Sequence, residues 1–307
     1  MASRLLAELA NEDPSLLPLH QKNLAYALRA LYKDHGTEAS VELANKSKLW
    51  GIAMLLRTFV ASPYFEQYSG HAEKLANAIR SLQKADGSFH AWYKAPNYKY
   101  DEDYLLTFYS GEGILALLEY YLKTKNIKRR DIALLSQDYY LQAYVEHIEE
   151  NYYPAYVPRH TISLYHAYQI TQEKKYADAI FLLNDKLIDE MLHTDTTTPH
   201  YLWRFYNPQF PQYGSPHSAS DGVFLEWLVY AYRLAKELGD TSHITKYKDA
   251  ILLAAHNLMR LQYGKKAPTT LAWAIRISHK NQDIRIDTTQ HMIDAFHVLL
   301  ATDIVTQ

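Results

Sequence analysis

One feature of this sequence restricts its fold most. Its helical segments are joined by connections that alternate between short and long. Apolar residues recur with helical periodicity in ten segments, at about 16–34, 48–62, 69–84, 102–124, 127–150, 158–172, 175–192, 218–238, 242–263 and 288–304. Short turns follow residues 62, 124, 172 and 238, and long connections run through 85–101, 151–157, 193–217 and 264–287. This alternation predicts helical hairpins repeated around an axis. Strand patterns are nearly absent.

The two helices of each predicted hairpin differ in character. The helix after each long connection is the more apolar one, as in WGIAMLLRTFV, and the helix after each short turn is amphipathic, as in HAEKLANAIRSLQK. A ring of buried inner helices wrapped by outer ones explains this contrast. We therefore predict a single all-α domain, an α/α toroid of five to six hairpins, small or incomplete relative to an (α/α)6 barrel. Residues 1–47 are expected to form an N-terminal helical segment that closes the ring, and residues 48–307 the toroid.

This topology also predicts where a cleft lies. Every long connection leads into the N-terminus of an inner helix, so the long connections gather at one end of the ring. Helix N-termini carry free N–H groups and a partial positive charge. We expect these N-termini to point into a cleft built by the long connections at that end.

Composition excludes several classes of function. The 307 residues have a net charge of −2 and no cysteine, which argues against nucleic-acid binding and excludes disulfides and thiolate metal sites. No window approaches a membrane span, and no signal peptide is visible. We expect a soluble protein, cytoplasmic by default, with a periplasmic or secreted location left open. The histidines lack metal-ligand spacing, and phosphate-loop and nucleophile-elbow motifs are absent, so neither a metal nor a cofactor is expected.

Four segments resemble a known superfamily. SLQKADGSF (81–89), YSGEGILALLEYYLKTKN (109–126), SDGVFLEWLVYAYRLAKELGD (220–240) and LMRLQYGKKAPTTLAWAIRISHKNQDIRIDTTQHMIDAF (258–296) are similar to uncharacterised bacterial members of the α/α-toroid, six-hairpin glycosidase-like superfamily, and to the helical domain of uronyl epimerases. The resemblance implies a carbohydrate-active fold without fixing a reaction. Two departures stand out: Leu271-Ala272-Trp273 replaces an expected Gly-Gly-Phe, and Asp221-Gly222 stands where the first copy has Gly111-Glu112.

The segment YDEDYLLTFYSGEG (100–113) offers the first candidate acid. Glu112 lies in an inner helix between two glycines, which are locally costly in a helix. Either a ligand approaches Glu112, which would then act as a general acid or base, or the glycines allow close helix packing and Glu112 is structural. Asp101, Asp103 and Tyr109 are nearby candidates for substrate binding.

The segment DIRIDTTQHMIDAF (283–296) offers a second group. Asp283, Arg285 and Asp287 would share one face of an extended segment, with Ile284 and Ile286 facing the core. Asp287 or one of the following threonines would cap the last helix. Arg285 could bind a substrate carboxylate and His291 transfer a proton, or the segment could be purely structural.

Two further segments would enter the cleft. Arg159 and His160 begin an inner helix behind Pro158, where His160 could also serve as a cap. The connection TPHYLWRFYNPQFPQYGSPHSASD (198–221) is aromatic and stiffened by prolines, as a sugar-stacking surface or an empty lid would be. Asp221 and Glu226 begin the inner helix beneath it.

We thus expect a carbohydrate-active enzyme of the glycoside hydrolase, lyase or epimerase type, with an acidic saccharide among the candidate substrates. The alternative is a non-catalytic protein that binds a carbohydrate or peptide. A small molecule or oligosaccharide is the expected partner, with no nucleic acid and no membrane span. The predicted catalytic residues are Glu112, His160 and Asp287. The predicted substrate-binding residues are Asp101, Asp103, Tyr109, Arg159, Trp203, Asp221, Glu226, Trp273, Arg285 and His291.

Overall fold

The structure is a computed structural model that describes residues 2–305. Most of these residues are helical. The α-helices in these residues are α1 (Ala2–Glu12), α2 (Leu17–Ala30), α3 (Leu49–Ala61), α4 (Phe65–Leu82), α5 (Glu102–Thr124), α6 (Ile127–Leu141), α7 (Ile148–Asn151), α8 (Tyr156–Thr171), α9 (Lys174–Met191), α10 (Ser218–Leu238), α11 (Thr241–Leu261) and α12 (Ile286–Leu300). The strands are β1 (Tyr32–Asp34), β2 (Ala39–Leu43), β3 (Lys46–Lys48) and β4 (Trp92–Lys94). No helix within residues 2–305 is long and apolar enough to cross a membrane.

Contacts divide the chain into two compact units. Unit 1 contains the residues up to Tyr152 together with His166–Gln172, and unit 2 contains Tyr153–Tyr165 together with the residues from Glu173 onward. The boundary therefore runs through α8, whose first ten residues belong to unit 2.

In unit 1, α3 is the central helix and packs against α1, α4 and α5. A continuous run of its residues, from Ile52 to Phe59, is buried, as expected of an inner helix. By contrast, α4 alternates buried and exposed residues, as expected of an outer one.

In unit 2, α10 occupies the corresponding place and packs against α9, α11 and α12. Two side-chain contacts show that α8 packs against α9 and α10. Thr161 Oγ1 accepts a hydrogen bond from Asn184 Nδ2 of α9 at 2.9 Å, and the Arg159 guanidinium lies 4.6 Å from the centre of a ring of Trp227 in α10.

The ends of α5 and α10 agree with the predicted boundaries because local signals fix them. Asp101 caps α5 by accepting from Tyr104 N at 3.0 Å, and His217 caps α10 through Nδ1, which accepts from Ala219 N at 3.0 Å. Both helices end at a residue in the left-handed region, Lys125 for α5 and Gly239 for α10. Side-chain caps and left-handed C-terminal residues are encoded within one turn of sequence.

Unit 1 contains a small sheet that the sequence, with almost no strand patterns, did not indicate. The four strands form one antiparallel sheet in the order β1-β2-β3-β4, so the predicted helix 16–34 ends early, at Ala30. Ala44 and Asn45 join β2 to β3 with φ values of 49° and 59°, which are typical of a type I′ hairpin turn. The strands have three to five residues, too few for an alternating pattern to stand out.

The predicted helix 127–150 is also interrupted. α6 ends at Leu141, a π-helical turn spans Gln142–Glu146, and the four-residue α7 follows. π-helical turns lie within otherwise helical sequence, so the periodicity of this segment does not reveal the break.

Candidate functional site

A pocket of about 310 Å³ opens in unit 2 where the two long connections before α10 and α12 meet. Its lining includes His200, Arg204, His279 and Lys280, and none of the described residues that line it is acidic. Ser218 N, in the first turn of α10, donates to Ile277 O at 2.9 Å, which joins the two connections at the helix end. This is the end of the inner helices at which the sequence predicts a cleft.

Asp221 holds Arg204 in the wall of this pocket. Arg204 Nη2 lies 2.6 Å and Nε 2.9 Å from Asp221 Oδ2, and Phe205 N donates to Oδ1 at 3.0 Å. Asn257 Nδ2 lies 3.4 Å from the same Oδ2. Asp221 and Arg204 are each 1% exposed. Asp221, a predicted substrate-binding residue, is therefore engaged in a buried ion pair.

About one and a half turns further along α10, a second cluster joins α10 to α12. Glu226, His291 and Asp294 each contribute one oxygen or nitrogen atom of the kind that binds metals, and these atoms lie within 4.8 Å of one another. The three residues are 3%, 5% and 2% exposed, respectively. Gln290 Nε2 donates to Asp294 Oδ2 and so orients that carboxylate.

Gly222 explains how the two helices come close enough to form this cluster. A Cβ atom at position 222 would lie 3.0 Å from the carbonyl carbon and 3.1 Å from Cβ of His291. Only glycine leaves room for the α12 backbone there. The departure at Asp221-Gly222 thus has a packing reason: the glycine lets the backbone of a predicted site residue approach α10.

An imidazole beside two carboxylates can perform two kinds of chemistry. Histidine and carboxyl groups in reach of one another transfer protons as general acids and bases. The same three groups are also ligands for divalent cations. The expectation that no metal binds was based on spacing along single helices. That reasoning does not cover this set, because its members come from two helices.

Two predicted residues lie near the start of α8. The guanidinium of Arg159 stacks on Trp227, the residue that follows Glu226. His160 is 2% exposed, and burial lowers its pKa to about 3. An imidazole with so low a pKa is a weak base, which disfavours the predicted catalytic role of His160.

The start of α12 differs from the prediction. Its N-cap residue is Arg285, without a side-chain cap, and the Arg285 guanidinium makes two hydrogen bonds to Asp287, Nε–Oδ1 at 3.0 Å and Nη2–Oδ2 at 2.6 Å. The predicted cap is therefore wrong, because Asp287 already lies in the first helical turn. Ile284 and Ile286 are 40% and 80% exposed, so the prediction that they face the core is also wrong. At the start of α12, the residue that faces the core is Thr288, which is fully buried.

His217 connects this helix start to the ion pair beneath the pocket. Burial lowers the pKa of His217, the nearby Arg285 lowers it further, and Asp287 and Asp221 oppose that effect. Arg285 and Asp287 thus pair with each other, and both affect the pKa of His217.

The two predicted tryptophans both have left-handed backbones, with φ of 66° at Trp203 and 69° at Trp273. Arg260 lies 5.7 Å from the centre of a Trp203 ring. Trp273 is 57% exposed, and its N donates to Tyr263 O at 3.0 Å. An exposed indole leaves a flat apolar surface open to solvent.

The remaining predicted residues belong to unit 1, where Glu112 lies in a buried ion cluster. Arg57 Nη1 donates to Glu112 Oε2 at 2.7 Å, and its Nε and Nη2 donate to Glu119 at 2.9 and 2.8 Å. Glu112 is 0% exposed. Burial by itself lowers the pKa of Arg57, but Glu119 and Glu112 outweigh it and raise that pKa overall.

Gly113 shows why a glycine flanks this acid. A Cβ at position 113 would lie 3.1 Å from Leu49 Cδ1 of α3, so the glycine permits close packing of α3 and α5. Both observations match the structural interpretation of this segment.

The other unit 1 candidates lie near the start of α5. Asp101 is the N-cap, Asp103 is exposed in the first turn, and the Tyr109 hydroxyl accepts from Lys48 Nζ at 3.0 Å. Capping, the helix dipole and this single hydrogen bond are sufficient reasons for their positions.

Of the predicted residues, the structure brings Glu226 and His291 into one cluster and Arg285 and Asp287 into one ion pair. Sequence reasoning missed Asp294 as a site residue. Its spacing from His291 could have indicated it, because residues three apart share one face of a helix. Arg204 and His279 stand in long connections, where no periodic pattern marks them.

The fold can be compared with solved structures. A D-mannose isomerase matches with a TM-score of 0.73 over 98% of this chain and 86% of its own, at 12% identity. An inactive variant of a family 76 α-1,6-mannanase of Salegentibacter sp. HEL1_6, in complex with α-1,6-mannotriose, matches with 0.68 over 96% and 86%, at 11% identity. A sugar epimerase from a ruminal bacterium matches with 0.60 over 91% and 82%, at 14% identity.

No protein-family model matches the sequence, and no curated protein matches it either. At these identities a structural likeness establishes the fold and leaves the activity open. The chain shares the α/α toroid fold of these solved structures, which confirms the predicted fold class and the predicted likeness to α/α-toroid proteins.

Proposed function

We propose that this protein is a carbohydrate-active enzyme that moves a proton on a sugar, as isomerases and epimerases do, at the Glu226–His291–Asp294 cluster. The observation that carries the proposal is an imidazole and two carboxylates, almost fully buried, with atoms within 4.8 Å of one another. The solved structures of similar fold include an isomerase, an epimerase and a mannanase, which supports a saccharide as the substrate class.

The close spacing of the two carboxylates, with a histidine beside them, favours proton transfer at carbon over hydrolysis. Retaining glycosidases hold their carboxyl groups about 5–5.5 Å apart, and inverting ones about 6.5–9.5 Å apart. Here one oxygen of Glu226, one oxygen of Asp294 and one nitrogen of His291 all lie within 4.8 Å of one another. That leaves little room for a sugar ring between them, whereas a histidine beside a carboxylate is a common general base.

The chemistry can be written with the open-chain form of an aldose. His291 takes the proton from C2, the C–H electrons form a C1–C2 double bond, and the carbonyl oxygen becomes an enediolate oxygen. Glu226 and Asp294 stabilise the imidazolium that forms. If the hydroxyl proton on O2 moves to O1 and His291 returns its proton to C1, the product is a ketose. If the enediolate turns over in the site, so that His291 returns its proton to the other face of C2, the product is the epimer.

A second candidate is the non-catalytic binding protein. Two of the acids assigned from sequence, Glu112 and Asp221, form buried ion pairs with arginines. That observation favours a fold kept for binding, and the assay below separates the two functions.

The test is incubation of the purified protein in D2O with aldoses and manno-oligosaccharides, followed by mass spectrometry. We expect a monosaccharide product that carries carbon-bound deuterium, and His291→Asn should lower kcat by about 10²–10⁴-fold. Release of shorter oligosaccharides without carbon-bound deuterium would favour hydrolysis instead. Saturable binding without any turnover would favour the binding protein.

A control on the same helix tests whether the loss is specific. His297→Asn alters a partly buried histidine six residues further along α12. It should leave kcat unchanged, and both variants should melt within a few degrees of the parent.

A further inference from the structure

We propose that the unit 2 pocket binds the anionic group of an acidic sugar, a phosphate or a carboxylate. The chemical class of the substrate rests on the proposed function, whereas the binding of an anion by this pocket can be tested by itself. The pocket volume, about 310 Å³, is near the lower limit for small-molecule sites, about 300–1,000 Å³. It suits a monosaccharide better than an oligosaccharide.

Charge is the first argument. Arg204, Lys280, His200 and His279 line the pocket, and none of its described lining residues is acidic. Of these, Arg204 is neutralised by Asp221. Lys280 is exposed and forms no ion pair within residues 2–305; its Nζ lies 5.8 Å from the centre of the Tyr201 ring. A lysine held over an aromatic ring at a pocket wall is well placed to meet an anionic oxygen.

Neighbouring arginines add to this positive charge without offsetting carboxylates. Arg276 bonds only to the backbone oxygens of Leu261 and Arg260 and to the Gln282 side chain, and Arg260 stacks on Trp203. Neither arginine forms an ion pair in the described part of the chain. Positive charge that no acidic side chain neutralises favours an anion in the neighbouring pocket.

His279 supplies a second, independent observation. Its Nε2 is buried and has no hydrogen-bond partner among the described residues. Burial, together with the charges of Arg260, Arg204 and Arg276, lowers the pKa of His279 to about 4, as expected where the potential is positive. A buried ring nitrogen without a partner is costly, and a hydroxyl or a protonated oxygen of a ligand would satisfy it.

Hydrogen-bond donors complete the lining. Ser215, Ser278 and Asn281 add hydroxyl and amide groups, the groups that orient a sugar ring. The pocket therefore combines Lys280, a cation without an ion pair among the described residues, for the anionic group with polar groups for hydroxyls.

The experiment measures binding by calorimetry with four probes: inorganic phosphate, mannose 6-phosphate, glucuronate and mannose. We expect at least one of the three anionic probes to bind more tightly than mannose and to weaken as ionic strength rises. Tighter binding of mannose 6-phosphate would assign a phosphate, and tighter binding of glucuronate a carboxylate.

Lys280→Glu should weaken binding of the anionic probes by about tenfold or more, because it reverses one charge at the pocket wall. The matched control is Lys266→Glu, an exposed lysine of the same connection outside the pocket lining, which should leave affinity unchanged. Lys280→Ala and His279→Asn repeat the test without a new negative charge. Equal affinity for mannose and all anions, or equal loss in both glutamate variants, would overturn the inference.

The two proposals fail separately. Anion binding that depends on Lys280, in a protein that converts no sugar, would leave this inference intact and remove the proposed function. Turnover of neutral sugars that is unaffected by Lys280→Glu, without anion binding, would do the reverse.

Discussion

Gly222 of α10 lies directly against the backbone of His291 in α12, at a distance that leaves no space for a Cβ atom. The contact sets how closely the two helices approach and therefore where the His291 imidazole meets Glu226. A residue without a side chain thus positions the group proposed to move the proton.

Gly222→Ala should destabilise the protein although alanine is the better helix former. The added Cβ would meet the α12 backbone at 3.0 Å, and overpacking of this kind costs about 1–3 kcal/mol, more than the gain of about 1 kcal/mol in helix propensity. Turnover should fall as well, because α12 carries His291. Chemical denaturation and steady-state kinetics measure the two effects.

Gly70→Ala is the matched control for that substitution. Gly70 lies inside α4, and nothing stands within 4 Å of its would-be Cβ. This variant should gain about 0.5–1 kcal/mol of stability. A loss of stability at Gly70, or a gain at Gly222, would contradict the packing argument.

Arg57→Met should be strongly destabilising. It removes the partner of Glu112 and Glu119, and leaving carboxylates unpaired inside a protein costs about 3–5 kcal/mol. Arg130→Met, which affects an exposed pair with Asp131, should change the unfolding midpoint little. If both variants unfolded at the same denaturant concentration, the cluster around Arg57 would not be a stabilising element.

Acid should destabilise the fold partly through His160. Its pKa is about 3 in the folded state and about 6.5 in an unfolded chain, so below pH 6.5 only the unfolded chain takes up the proton. The stability contributed by neutral His160 is therefore complete above pH 6.5 and is lost progressively as pH falls towards 3. The slope is about 1.4 kcal/mol per pH unit.

His160→Asn removes the imidazole that takes up a proton when the chain unfolds in acid. Unfolding free energies measured from pH 7 to pH 4 should show a shallower slope in the variant. An identical slope in both proteins would show that His160 does not titrate in this way.

Removal of metal should leave the proposed activity intact. If Glu226, His291 and Asp294 transfer protons, dialysis against EDTA should not change kcat. Loss of activity on dialysis, recovered with Mn²⁺ or Zn²⁺ and absent in Asp294→Asn, would assign the three residues to a metal site and correct the expectation that none binds.

The fold was largely predictable because its signals are local. Each helix carries its own signals. In α5 and α10 these are the periodic burial of side chains, the capping residue at the N-terminus and the left-handed residue at the C-terminus. The sheet was not predicted because its strands are too short to show an alternation of apolar and polar residues.

The candidate site was only partly predictable. Glu226 and His291 were identified from their positions near the starts of inner helices, but Asp294 was not. From the sequence, Glu112 between two glycines was a candidate catalytic acid. Only the folded structure shows that it is paired, because its partner Arg57 is 55 residues away in sequence.

The sequence by itself therefore determined most of the helical segments, which of them are the more buried, and which of them follow long connections. Tertiary structure alone decided which carboxylates are paired with arginines and which stand beside a histidine. Helix formation depends on neighbours within a turn or two, whereas the environment of a buried charge depends on residues that only folding brings within a few ångströms.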